Sequence, residues 1–278
     1  MLARARLVVE CDRDGHGVVR VLRSQPPLCL LPQRGTAAAR SPVVTVHMVS
    51  SATTPLGGDD VSLNVVVSAG AQVVLTGVAA ALALPAQDCD VGSRLVVRLE
   101  IGALASVQYL PEASVITRRA DHRSELHAAL GSGARLRCRE VLVAGRSGEP
   151  SGRYQGLTRV IDTATGRPLL VQCQQLGDPS LHASPAHLAG HRVLGTEVLV
   201  WGEDPPDAVA GRWWSLTPLA GRGALAIAVA VDAVTAQRDL ATAVAAHPGW
   251  SGCAVPAAAH IGVAGPGAVG RASPPDNP

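Results

Sequence analysis

Residues 53–77 read TTPLGGDDVSLNVVVSAGAQVVLTG. Two glycines and two carboxylates, Gly57-Gly58-Asp59-Asp60, stand directly before a run of β-branched residues. Glycine supplies positive φ and aspartate bonds nearby backbone N–H groups, so the segment predicts a tight turn that launches a strand. A second strand, AQVVLTG, follows almost at once. The same pattern extends both ways. Upstream, ARLVVECD and GVVRVLRS flank Arg13-Asp14-Gly15 as a hairpin, and SPVVTVHMVSS follows Pro26-Pro27-Leu28. Downstream, SRLVVRLEIGALASVQYLP turns at Gly102-Ala103. SELHAAL, ARLRCREVLVAGR, YQGLTRVIDT, RPLLVQCQQL, EVLVWG and GALAIAVAVDA continue the series. Short strands at about ten-residue spacing argue for a mainly β body rather than βαβ units.

Helix signals are few. ALALPAQDC is alanine-rich but interrupted by Pro85, and SPAHLAGHRV is a short candidate. The strongest begins at Asp232 or Thr235 and runs through AQRDLATAVAAH to a stop at Pro248. No fixed-period repeat stands out. Residues 1–250 therefore read as one β-rich domain. Residues 251–278, rich in Ala, Gly and Pro with almost no charge, read as a mobile tail.

Composition narrows the function. The 278 residues are 47% hydrophobic, enough for a sizeable core, and carry a net charge of +2, which gives no electrostatic footprint for nucleic acid. Every basic residue is Arg, so a P-loop lysine and a Schiff-base lysine are excluded. Phe is absent, and the core must come from Val, Leu, Ala and Ile. The six cysteines (Cys11, Cys29, Cys89, Cys138, Cys173, Cys253) form no C-x-x-C pair and read as ordinary buried thiols. No stretch of about 18 uncharged apolar residues is present, so the expectation is a soluble cytoplasmic protein with no membrane partner.

Candidate chemistry is sparse. On a helix, His187 and His191 would share one face, with His182 nearby, as in a zinc site. The intervening residues lack the Glu of a zinc-protease helix, and Gly190 weakens the helix itself. Loop histidines are the plainer reading, and a β-rich metal-dependent enzyme using this cluster is the outside alternative. G-x-S-x-G is missing, G-x-G-x-x-G lacks a strand–helix context, and Glu100, Glu112 and Glu140 are not spaced as a dyad. Glu140 is flanked by Arg137, Arg139 and Arg146. If residues 135–141 form one strand, Arg137 and Arg139 lie on its opposite face, leaving Glu140 interior or paired across strands.

Four landmarks in register resemble one family, the urease accessory protein UreD, called UreH in some bacteria. They are Gly57-Gly58-Asp59 with Leu75-Thr76 ending the next strand; Gln108-Tyr109-Leu110-Pro111-Glu112; Glu140 followed by four residues and Gly145-Arg146; and the strand at 223–231 with the Arg238 helix. Pro27-Leu28 falls where the family has Gly-Pro-Leu. The resemblance covers residues 5–250. It departs where the family has a Ser/Thr-Lys turn and this chain has Gly77-Val78-Ala79-Ala80-Ala81-Leu82. It departs again where Arg153 and Gln172 stand at acidic positions.

The resemblance implies a non-enzyme with a layered, helicoidal strand arrangement and a short helical portion near the C-terminus. It implies complexes with UreF-like and UreG-like proteins and apo-urease, and a role in nickel delivery, as scaffold and conduit or as a purely structural adaptor. It implies no tightly bound cofactor and transient Ni2+ on interior acids, at positions matched by Asp59 and Glu140, with Asp60 adjoining. Trp213-Trp214 is a candidate interface anchor, with core packing the alternative.

Overall fold

The computed structural model describes residues 1–86, 91–182 and 184–250. The strands in chain order begin with β1 (Leu2–Cys11), β2 (Gly17–Arg23), β3 (Leu28–Pro32), β4 (Val43–Ser50), β5 (Asp60–Val67) and β6 (Gln72–Gly77). Next come β7 (Ala81–Ala83), β8 (Ser93–Ile101), β9 (Ser106–Leu110), β10 (Ser114–Ile116), β11 (Asp121–Leu130) and β12 (Arg135–Ala144). The series ends with β13 (Arg153–Asp162), β14 (Pro168–Leu176), β15 (Val193–Val200), β16 (Val209–Ala210), β17 (Trp214–Pro218) and β18 (Ala224–Ala230). Four helices, α1 (Thr36–Arg40), α2 (Pro179–His182), α3 (Pro185–Leu188) and α4 (Ala233–Ala245), are described with them.

These strands build two facing sheets. The first has the order β14-β13-β11-β8-β5-β1-β2, and the second runs β16-β17-β18-β15-β12-β9-β6-β4-β3, with β7 and β10 attached through β12. Strands β13-β11-β8-β5-β1 of the first sheet and β12-β9-β6-β4 of the second are parallel to their neighbours, because the chain crosses from one sheet to the other at each tight turn instead of doubling back, whereas β15, β17 and β18 pair antiparallel. The predicted β body is therefore a stack of coils, in agreement with the layered arrangement that the resemblance implied.

One turn builds the stack three times. Residues 68–71, 102–105 and 131–134 each cross between sheets, and Gly70, Leu104 and Gly133 occupy the same left-handed position at φ 75°, 57° and 64°. Buried Ala71, Ala105 and Ala134 follow, each donating its N–H three residues back, to Ser68, Gly102 and Gly131. Adjacent coils are tied at this corner, Gly70 N–H to Ala103 O at 2.9 Å and Leu104 N–H to Ser132 O at 2.9 Å. This is the repeat that sequence reading missed. Its corner tolerates Leu in place of Gly, and its spacing shifts between coils.

Alternation along the strands fills the space between the sheets. Val65, Val67, Leu99, Ile101, Ala128, Leu130, Val107 and Leu136 pack there with almost no exposure. Helix α4 covers the outer face of the second sheet with Ala236, Leu240, Ala243 and Val244. Its start is as predicted: Asp232 caps it by accepting from Thr235 N–H at 2.8 Å. Within the ALALPAQDC segment Ala81–Ala83 forms β7, not a helix, because it pairs in parallel with β10, and residues 87–89 lie outside the described residues. The tail beginning at residue 251 lies outside the described residues. Among the described residues no helix is long and apolar enough to cross a membrane.

Candidate functional site

The GGDD segment is the turn its residues predict. Gly58 takes φ 85°, Asp59 N–H bonds Leu56 O at 2.8 Å, and a Cβ at Gly57 would meet Ala86 N at 2.3 Å. Asp59 is buried and accepts from the Met1 ammonium at 2.8 Å, Leu56 N–H at 2.9 Å and the Thr54 hydroxyl at 3.1 Å. Burial opposes its charge, but these donors outweigh burial and hold the carboxyl below its ordinary range. Asp60 is half-exposed and pairs with Arg4 at 3.2 Å.

Glu140 has a different setting. Strand β12 places Arg137 and Arg139 on the outer face, where Arg137 pairs with Glu197 and Arg139 lies 3.7 Å from Glu112. Glu140 points between the sheets, as strand parity predicted. There it lines a cavity of about 60 Å3 with Tyr109, His122, Ser124, Cys138, Tyr154 and Thr158. Asp59 and Asp60 are not among the cavity-lining residues, so the structure does not bring the three acids together.

The cavity mixes polar groups with the apolar side chains of Leu95, Val97, Leu126 and Val141. Tyr154, from the first sheet, donates its hydroxyl to Glu140 Oε1 at 2.5 Å, and the Ser124 hydroxyl bonds both groups. Burial pushes the Glu140 carboxyl up, partly offset by these two donors. His122 Nδ1 lies 2.9 Å from Ser93 Oγ, and burial pulls its imidazole down to about 4, so the ring is neutral at physiological pH. Burial pushes the Cys138 thiol and both tyrosine hydroxyls well up. Beside Glu140, Thr196 accepts from Gln174 at 3.2 Å, and Gln174 Oε1 has no partner. The lining holds Glu140 among neutral oxygen, sulfur and nitrogen groups, and at one side it also includes Glu112 and the Arg139 guanidinium.

The other predicted positions scatter. Tyr109 lines the cavity; Leu110 is buried beside it; Pro111 accepts from Arg139 Nη2 at 3.2 Å. Gly145 takes φ 71° and Arg146 pairs with Glu149 at 2.9 Å on the surface. Trp214 packs against the α4 core, whereas Trp213 is 38% exposed and stacks on His191 at 4.3 Å between ring centroids. Helix α3 stops at Leu188, with Ala189 and Gly190 at positive φ, so His187 and His191 do not share a helical face. Each bonds backbone carbonyls instead, His187 that of Gln175 and His191 those of Leu188 and Ala189. Among the described residues no group of three His, Cys, Asp or Glu side chains could hold a metal ion.

Sequence reasoning missed Tyr154, Ser124 and Cys138 as cavity residues. A signal existed for two of them: Tyr154 is one of only two tyrosines, and Cys138 shares the face of Glu140 by strand parity.

Comparison with known proteins agrees with this geometry. The sequence model of the family described as UreD urease accessory protein matches residues 2–261. Urease accessory protein UreD 1 of Saccharopolyspora erythraea is 52% identical over 248 residues, covering 89% of this chain and 96% of its own length. Urease accessory protein UreD of Parafrankia sp. is 38% identical over 261 residues, 85% of this chain and 86% of its own. That of Streptomyces coelicolor is 38% identical over 251 residues, 87% and 95%. These relatives are named as accessory proteins rather than enzymes, which removes the histidine-cluster enzyme as an alternative. With two facing sheets, stacked coils and landmarks in place from end to end, the chain belongs to the UreD urease accessory protein family.

Proposed function

We propose that this protein serves urease maturation as a scaffold for nickel insertion, working between a UreF-like and UreG-like complex and apo-urease in the cytoplasm, with Glu140 as a transient Ni2+ ligand. One observation carries the cation reading: Glu140 lies deep between the sheets yet keeps accessible surface, because it faces a cavity that it lines together with Glu112, Arg139 and neutral polar groups. A carboxylate taken out of water is costly by several kcal/mol unless compensated. Its two hydroxyl donors compensate only in part, which leaves room for a cation. Oxygen donors of this kind hold the borderline Ni2+ ion less firmly than imidazole or thiolate ligands would, as cargo requires.

A second reading has its own support. Asp59 is taken up by the Met1 ammonium and two further donors, and Asp60 by Arg4, so both acids of the GGDD turn serve structure. An adaptor that bridges partners without passing nickel through itself accounts for these two. Substitution separates the readings. In cells grown at limiting nickel, Glu140→Gln should assemble with its partners but leave urease under-loaded and weakly active. Full activation by Glu140→Gln would establish the adaptor. Failure of the tagged parent protein to co-purify with urease and the UreF-like and UreG-like proteins would sink both.

A further inference from the structure

Two adjoining hollows of about 450 and 460 Å3 open on the surface beside the start of β13, and Pro85 and Arg119 line both. Arg153 lines the first hollow and Arg118 the second. All three arginines are exposed, and among the described residues none of them is in an ion pair. The neighbouring acids are occupied elsewhere. Glu149 accepts from Arg146 Nε at 2.9 Å and from the Arg146 backbone N–H at 3.0 Å, and Asp178 accepts from the Ser180 hydroxyl at 2.7 Å. That leaves Asp121 in the lining against three guanidiniums.

The backbone that carries these arginines is held tightly. Residues 117–120 form a turn closed by Ala120 N–H to Thr117 O at 3.0 Å, and the Thr117 hydroxyl anchors it to Ala83 O at 2.6 Å. Arg153 N–H bonds Ala120 O at 2.7 Å, so the third arginine starts its strand directly against the turn that bears the other two. Between them a Cβ at Gly152 would meet Thr117 O at 2.3 Å, which shows how closely the two segments lie. Placement of this kind lowers the ordering cost of binding. Pro85, Ala86 and Val91 supply apolar surface in the same lining, with Val91 57% exposed.

We propose that this arginine-rimmed face is a docking site for a carboxylate-rich segment of a protein partner. The guanidinium fork matches carboxylate geometry, and arginine mixed with apolar surface is the composition of protein interfaces. The charges are strung out across two hollows instead of converging on one point, which suits several carboxylates along an extended chain and not a single small anion. Nucleic acid would call for aromatic platforms and a long basic stripe. Neither hollow has an aromatic residue in its lining, and the net charge of the chain is only +2. The proposal stands independently of the cation reading of Glu140.

The test is fluorescence anisotropy of a labelled decaglutamate peptide titrated with the full chain at low salt, where exposed charges are least screened. The triple variant Arg118→Gln, Arg119→Gln, Arg153→Gln should bind the peptide about tenfold more weakly. The control triple variant Arg13→Gln, Arg159→Gln, Arg167→Gln removes the same charge from exposed positions outside the hollows and should bind like the unmodified protein. If Arg119→Gln disturbs the turn and lowers the thermal midpoint, the double variant Arg118→Gln, Arg153→Gln decides in its place. Equal losses in the test and control variants would reduce the effect to overall charge and overturn the proposal. So would a lack of binding by the unmodified protein. Displacement of the peptide by an equal concentration of decathymidylate would assign the face to nucleic acid, and displacement by an equal concentration of inorganic phosphate would assign it to small anions; either result also overturns it.

Discussion

The guanidinium of Arg137 lies 4.4 Å from the centre of the Trp250 ring while its Nε donates to Glu197. Glu197 is 1% exposed and its second carboxylate oxygen has no partner, so Arg137 is the compensation for a buried charge. Removing one member of such a pair strands the other, whereas replacing both with apolar groups is often neutral. Arg137→Ala should lose about 3–5 kcal/mol in urea unfolding. The double replacement Arg137→Met, Glu197→Leu should stay within about 1 kcal/mol of the parent. Equal losses in the two variants would show that the stacking on Trp250, and not the charge, is what matters.

Leu104 occupies the left-handed corner that Gly70 and Gly133 fill in the neighbouring coils, with its side chain 76% exposed. A side chain in that region costs about 1–2 kcal/mol. Leu104→Gly should therefore raise the thermal midpoint, and Gly70→Ala should lower it. The gain is capped because the Leu104 methyl group leans over Gly133. A fall in the midpoint on Leu104→Gly would mean that this contact outweighs the strain.

His122 gives stability a dependence on mildly acid pH. Burial lowers its folded-state value to about 4, below the ordinary 6.5, so the unfolded chain binds the proton more readily. Its contribution is complete above about pH 6.5 and falls away between there and about pH 4. About 2 kcal/mol should be lost between pH 7 and pH 5. His122→Asn, which keeps a partner for Ser93, should flatten the unfolding free energy over this window. An equally steep dependence in the variant would move the cause elsewhere.

Asp59 acts at lower pH. Its folded-state carboxyl titrates below the ordinary value, so it stabilises above about pH 4 and ceases to do so as pH falls further. Asp59→Asn should be less stable than the parent at pH 7, and the gap should narrow between about pH 5 and pH 3. A gap that does not change with pH would show that hydrogen bonding alone, without the charge, holds the turn.

Much of this was legible in the residues. Alternation gave most strands but not the short β3, β7, β10, β16 and β17, the GGDD stretch gave its turn, and Asp232 gave the start of α4. Strand parity put Glu140 on the face away from Arg137 and Arg139. What remained hidden was long-range. Nothing local distinguishes a turn that doubles back from one that crosses to a second sheet, so Gly102-Ala103 was found without its meaning. Ala81–Ala83 reads as helix by propensity and becomes strand because β10 lies beside it. Tyr154 follows a Ser-Gly-Arg segment that reads as turn chemistry. Its partner is 14 residues away on the other sheet, and no spacing rule connects them.

The stacked corners have a consequence for traffic through the molecule. From Ala134 to Glu140 the strand rises about 20 Å, at roughly 3.3 Å per residue. Over much of that length the gap between the sheets is filled by Val67, Ile101, Leu130, Val107 and Leu136. That end is plugged with hydrocarbon, where a bare ion would find no ligand. The interior is therefore shaped like a bottle rather than a pipe, and any guest that reaches Glu140 must arrive and depart away from the corners.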